Sequence, residues 1–171
     1  MGAITNKDYI LGFLNGTSED YKGRKYKETI QWSDEELEYC HDQVQHVFPL
    51  HEESHMAKNF PVLSKEIVEE AKKNEAILNN IKAGAKRFER FFGIGAFKDP
   101  RKIFKWAHQG NHNLLRITRI IRCLRLFGLE DEAREFYDDA IEVAHNSNVS
   151  LITLSYWKLA MEDDVWNSLR G

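Results

Sequence analysis

The sequence predicts an all-α fold of about six to eight helices, and three observations carry that prediction. Apolar residues recur at helical three- and four-residue spacing along most of the chain, strand-like alternation is absent, and Ser, Asn, Asp-Pro and Gly stand where the helical segments begin and end. A chain of 171 residues fits one domain and can bury a sizeable core. With 42% hydrophobic and 12% aromatic residues it is no disordered segment, and 3 Pro with 10 Gly leave room for long helices.

The segment 1–32 is the least regular, and is expected to pack on a helical core spanning 33–162. Lys7 to Leu14 reads as a short helix ended at Asn15-Gly16, and Thr17 to Ile30 as loop. Ser33-Asp34-Glu35-Glu36 is a capping box, in which Ser33 accepts from the third helical N–H and Glu36 reaches back. The helix it opens runs to Phe48 and stops at Pro49, with Leu37, Cys40, His41, Val44, Val47 and Phe48 on one face. His46 falls on the outer side of that wheel. A polar connection, His51 to Phe60, is closed by Pro61.

Ser64 caps a segment reaching about Lys73. Asn74 caps a longer helix with Ile77, Leu78, Ile81, Ala85, Phe88, Phe91 and Phe92 inward, and Gly93 and Gly95 end it. Asp99-Pro100 starts a short helix through Ile103, Phe104 and Trp106, aromatics assigned to the core by their spacing. Asn111 or Asn113 caps Leu114 to Phe127, closed by Gly128. Leu129 to Ala144 follows, and Ser150 caps the last helix, with Leu151, Leu154, Trp157 and Met161.

Charge is segregated. Residues 28–57 hold eight acids and no Lys or Arg, whereas 58–106 hold twelve bases against six acids. Residues 130–142 carry seven acids and one Arg. The simplest account is acidic and basic helices packed together or solvated; the alternative is a basic groove for an anionic partner. The formal net charge of −3 gives no global attraction to nucleic acid or anionic lipid. No apolar run is long enough to cross a bilayer. Cys40 and Cys123, without a C-x-x-C pattern or a secretory signal, read as reduced thiols, so the expected location is intracellular: cytoplasmic, or nuclear in a eukaryote.

The Leu114–Phe127 helix is the most informative. Leu114, Ile117, Ile120, Ile121, Leu124 and Phe127 share one face, and Thr118, Arg119, Arg122 and Arg125 lie opposite, with Leu115 and Leu126 among them. A helix apolar on both sides is central in its domain. Arg116, at the margin of the apolar face, is therefore expected to be buried and paired, with Asp34, Glu38 or Asp42 as candidate partners. Arg116 and Arg119 together suit a carboxylate or phosphate.

Two stretches resemble the signatures of the opioid growth factor receptor conserved region. They are Tyr39-Cys40-His41-Asp42-Gln43-Val44-Gln45-His46-Val47-Phe48-Pro49-Leu50 and the long run from Gly110-Asn111-His112-Asn113 through Leu129. Trp32 to Glu38 and Ser155-Tyr156-Trp157 are also similar. The resemblance covers about Asp8 to Met161 and implies a stand-alone relative of animal proteins described as receptors for an enkephalin peptide. It supplies no catalytic residues. The family pattern favours Trp where His46 stands.

The expected function is a non-enzymatic binding domain for a peptide, a protein or an anionic group, with no cofactor. Its site is expected to gather His41, Gln45, Trp106, His112, Asn113, Arg116 and Arg119: the arginines for charge, His41, Gln45 and Asn113 for hydrogen bonds, Trp106 as an apolar wall. An alternative is nucleic-acid contact through Arg119, Arg122 and Arg125, which the net charge weakens. A third is an enzyme using His41 or the H-E-x-x-H run His51-Glu52-Glu53-Ser54-His55. That run lacks the apolar helical flanks of a zinc site, so no metal is expected. Gly93-Ile94-Gly95 is too short to be a phosphate loop.

Overall fold

The structure, a computed structural model, describes residues 5–52 and 61–166. Among these, ten α-helices form and no strand does. The chain divides into two compact units, Met1–Gly84 and Ala85–Gly171.

The first unit holds α1 (Asn6–Asn15), α2 (Tyr26–Ile30), α3 (Asp34–Tyr39), α4 (His41–Val47), α5 (Lys65–Ala71) and the start of α6 (Glu75–Phe92). The predicted caps are in place. Ser33 and Glu36 exchange both bonds of the box, and Ser64 accepts from the Ile67 N–H. Thr5, not among the predicted caps, accepts from the Asp8 N–H. Asn74 accepts from Ala76 and Ile77 at the head of α6. Gly16 closes α1 at φ 88°, a left-handed geometry that costs a residue without Cβ nothing.

The helix count exceeds the expected six to eight for two physical reasons. A short α2 forms in the stretch assigned to loop, where Glu28 reaches back to the Lys25 N–H. The long helix expected from Ser33 to Phe48 is broken at Cys40, whose ψ of 81° lies outside the helical basin. The break restarts the helical phase. His41, expected on the apolar face, is exposed at the head of α4, and His46, expected outside, is only 2% exposed.

Ile10, Phe13 and Leu14 of α1, Tyr26, Val44, Val47, Phe48 and Ile81 form the core of this unit. Tyr26 donates its hydroxyl to the Val47 carbonyl at 3.1 Å, and Asn80 donates to that of Leu14 at 2.8 Å. Gly84 of α6 lies against this cluster: a Cβ there would stand 2.8 Å from the Tyr26 hydroxyl and 3.3 Å from Val47. Ala ordinarily gains about 1 kcal/mol over Gly in a helix. Here the oxygen is tied to a carbonyl and cannot yield cheaply, so overpacking outweighs propensity. Gly84→Ala is expected to lose about 1–2 kcal/mol, read by urea titration.

The second unit holds the end of α6, a short 3-10 turn at Gly95–Phe97, α7 (Pro100–Trp106), α8 (Asn113–Leu126), α9 (Glu130–Ala144) and α10 (Leu151–Glu162). Asp99 and Pro100 start α7, and Ser150 caps α10, as their chemistry requires. Helices α8, α9 and α10 pack on one another. An aromatic chain runs through the interior: Phe91 to Phe92 at 5.1 Å, Phe92 to Trp106 at 5.5 Å and to Phe136 at 6.2 Å, Trp106 to Trp157 at 6.5 Å. Each indole has an acceptor. Trp106 donates to the Phe92 carbonyl at 2.8 Å and Trp157 to that of Leu114 at 3.2 Å.

Candidate functional site

The expected site residues fall in both units. In the first, α4 carries His41, exposed, and Gln45, half-buried. The remaining expected residues belong to the second unit. Asn111 accepts from the Asn113 N–H at 2.8 Å and so opens α8, leaving His112 exposed beside it. Asn113 is 2% exposed and Arg116 6%; the structure brings them together, with Arg116 Nη1 donating to Asn113 Oδ1 at 3.1 Å. Arg116 is thus buried as expected. Arg119 is half-buried one turn on. Of the candidate partners named for Arg116, Asp42 spends its carboxylate within its own unit, on Arg24, Lys22 and Tyr21.

Trp106 is read from its spacing as a core residue and also as the apolar wall of the expected site. It is only 2% exposed and its indole N–H is committed to Phe92, so it serves the core. The arginines offered as an alternative contact for nucleic acid differ in exposure. Arg122 is buried, and Arg125 donates to Glu130 and to the carbonyls of Ala160 and Asp163. Arg122 is thus withdrawn from the surface, while Arg119 and Arg125 are half-buried on a side of α8 that exposes Leu115. Cys123 is fully buried, and burial pushes its thiol well above the ordinary range, so it is no nucleophile at neutral pH.

His51 and Glu52 of the H-E-x-x-H run lie in a bend, not a helix, and Glu53, Ser54 and His55 fall outside the described residues. Among the described residues, ligand atoms of Glu89, Glu135 and Asp139 come within 4.8 Å of one another. Lys86 already places its ammonium 3.3 Å from Glu89 and 3.2 Å from Glu135. Burial raises the Glu89 carboxyl above the usual range, opposed by that lysine.

A feature the sequence did not disclose lies between the end of α7 and the turn before α10. Phe104, Lys105, Ala107 and His108 on one side, and Asn146, Ser147 and Asn148 on the other, line an open groove of about 520 Å³. His108 and Asn148 pair in an isolated parallel bridge. The Asn111 amide donates to the Lys105 carbonyl at 3.4 Å, tying the head of α8 to this wall. Phe104, assigned to the core by its spacing, is 84% exposed. Phe104 and Trp106 are two residues apart on a seven-residue helix, about 200° around it, so both cannot face inward.

Taken together, these features define an all-helical chain in which Asn113 and Arg116 are buried, His41 and His112 are exposed, and an open groove lies beside α7. Residues 13–165 match the family profile of the opioid growth factor receptor (OGFr) conserved region, and the chain belongs to that family. A comparison with curated proteins finds no match, and neither does one with solved structures. Among the described residues, no helix is long and apolar enough to cross a membrane.

Proposed function

We propose that this domain is a non-enzymatic binding module and that the groove beside α7 takes an extended peptide. The observation that carries the reading is the exposed ring of Phe104 standing on the rim of a 520 Å³ concavity. An aromatic ring left in water is a ready anchor for an apolar side chain. Around it, Asn146 and Asn148 are exposed and offer amides, each able to donate and accept, which suits a peptide backbone. Lys105 adds a cation for an acidic residue or a C-terminal carboxylate. The openness of the groove favours a chain lying across it over a small molecule enclosed within it.

The test is panning a random peptide display library on the protein, then measuring the selected peptides by calorimetry. Phe104→Ala is expected to weaken them about tenfold or more with the melting temperature unchanged, since the side chain packs against little. Selected peptides that bind Phe104→Ala as tightly as the parent overturn the groove. Arg119→Ala separates this reading from one in which the α8 arginines hold the ligand. It leaves affinity intact in the first case and abolishes it, with the fold retained, in the second.

A further inference from the structure

We infer that the outer face of α10 is a docking surface for a basic amphipathic helix of another protein. Trp157, Ala160 and Met161 bury one side of α10. The opposite side exposes Leu151 (83%), Ile152 (67%), Tyr156 (38%) and Leu159 (46%). At 100° per residue these side chains and Ser155 form one continuous stripe along two turns. Ser155 turns its hydroxyl onto the Ile152 carbonyl at 2.6 Å, so even the stripe's polar residue presents little polarity outward. Scattered exposed leucines need no explanation, but a contiguous apolar face over two turns of a short helix marks a place where something sits.

Charge complementarity says what sits there. Residues 130–164 hold ten acids against two bases. Glu130, Glu135 and Glu142 are paired with Arg125, Lys86 and Lys98, and Lys158, the exposed base of α10, borders the stripe beside Leu151. Glu162, Asp163 and Asp164 close the C-terminal end of the stripe. Helix α9 packs against α10, and burial, with the charge of Glu162, raises the Tyr137 hydroxyl above its ordinary range. Arg134, one of the two bases, is spent over the Tyr137 ring and against Asp138. An apolar stripe with this acidic C-terminal rim repels anionic lipid there, and a second copy docked in parallel would bring two acidic ends together. A helix with leucine-like residues at i, i+4 and i+7 flanked by Lys or Arg matches both the stripe and the rim.

The surface is also preorganised. Arg125 donates to the Ala160 and Asp163 carbonyls at 2.9 and 2.7 Å, fixing the end of α10, and Ser150 caps its start. Little order has to be gained on binding.

The experiment titrates the whole protein with a synthetic helix of about eighteen residues made only of leucine and lysine, and with its leucine and glutamate counterpart. The first is expected to bind, less tightly as salt is raised from about 50 to about 500 mM, and the second not at all. Ile152→Ser with Leu159→Ser changes no charge and alters only exposed side chains. It is expected to weaken the leucine–lysine peptide about tenfold with an unchanged melting curve. Equal binding to the double variant, which would mean diffuse attraction to acid, overturns the proposal, and so does no binding by the parent. Sedimentation as a dimer that Ile152→Ser with Leu159→Ser dissolves assigns the face to a second copy, and likewise overturns it.

Discussion

Trp106→Ala is expected to destabilise the protein by about 3–5 kcal/mol, lowering the melting temperature by about 6–20 °C. The indole is 2% exposed, lies against Phe92 and Trp157, and donates to the Phe92 carbonyl. Removing it opens a cavity among rings that cannot collapse together, and strands a buried carbonyl. Trp106→Phe separates the two effects. It keeps most of the packing and loses the hydrogen bond, for about 1–2 kcal/mol. Urea titration of both variants reads the difference. A Trp106→Ala protein as stable as the parent would return the residue to a binding role.

Asp42→Ala is expected to cost about 2–3 kcal/mol, through an ionic clamp that the sequence did not reveal. Asp42 accepts from Tyr21 at 2.8 Å and from Arg24 at 2.9 Å, and pairs with Lys22 at 3.1 Å, drawing the 20–24 turn onto α4. Behind the turn, His46 lies against Tyr21 at 5.4 Å and meets the Tyr9 hydroxyl at 3.0 Å. The loss is bounded because Arg24 retains Asp20, whose carboxylate it meets at 2.8 Å.

The clamp has a pH signature. Partial burial pushes the Asp42 carboxyl up, but the bonds from Arg24, Tyr21 and Lys22 outweigh it and hold it well below the usual range. A folded pKa depressed in this way contributes stability that is present above the unfolded value near 3.9 and is lost as pH falls below it. The gap between parent and Asp42→Ala is therefore expected to close in acid. His46 acts earlier. Burial depresses its pKa below 6.5, so its neutral form belongs to the fold, and its contribution is full above 6.5 and declines as pH falls. Melting curves at a series of pH values follow both steps.

The fold was legible in the sequence wherever a local rule governed it. The capping box at Ser33, the caps at Ser64, Asn74, Asp99 and Ser150, and the glycine closing α1 each act within a few residues of themselves. The burial of Arg116 was legible too, because a helix apolar on both sides leaves a cation at its margin no route to water. The site was less legible. A wheel drawn unbroken from Ser33 to Phe48 put His41 inside and His46 outside, and the kink at Cys40 reversed both.

What the sequence determined by itself, then, is the helical class, the family, and the start and stop of most elements, since periodicity and capping are written in neighbouring residues. Tertiary structure alone decided where the helical phase resets, that Phe104 faces water while Trp106 faces the core, and that α10 leaves its apolar stripe uncovered. Those outcomes depend on which residues, distant along the chain, come to share one volume. Spacing within a single helix carries no record of that.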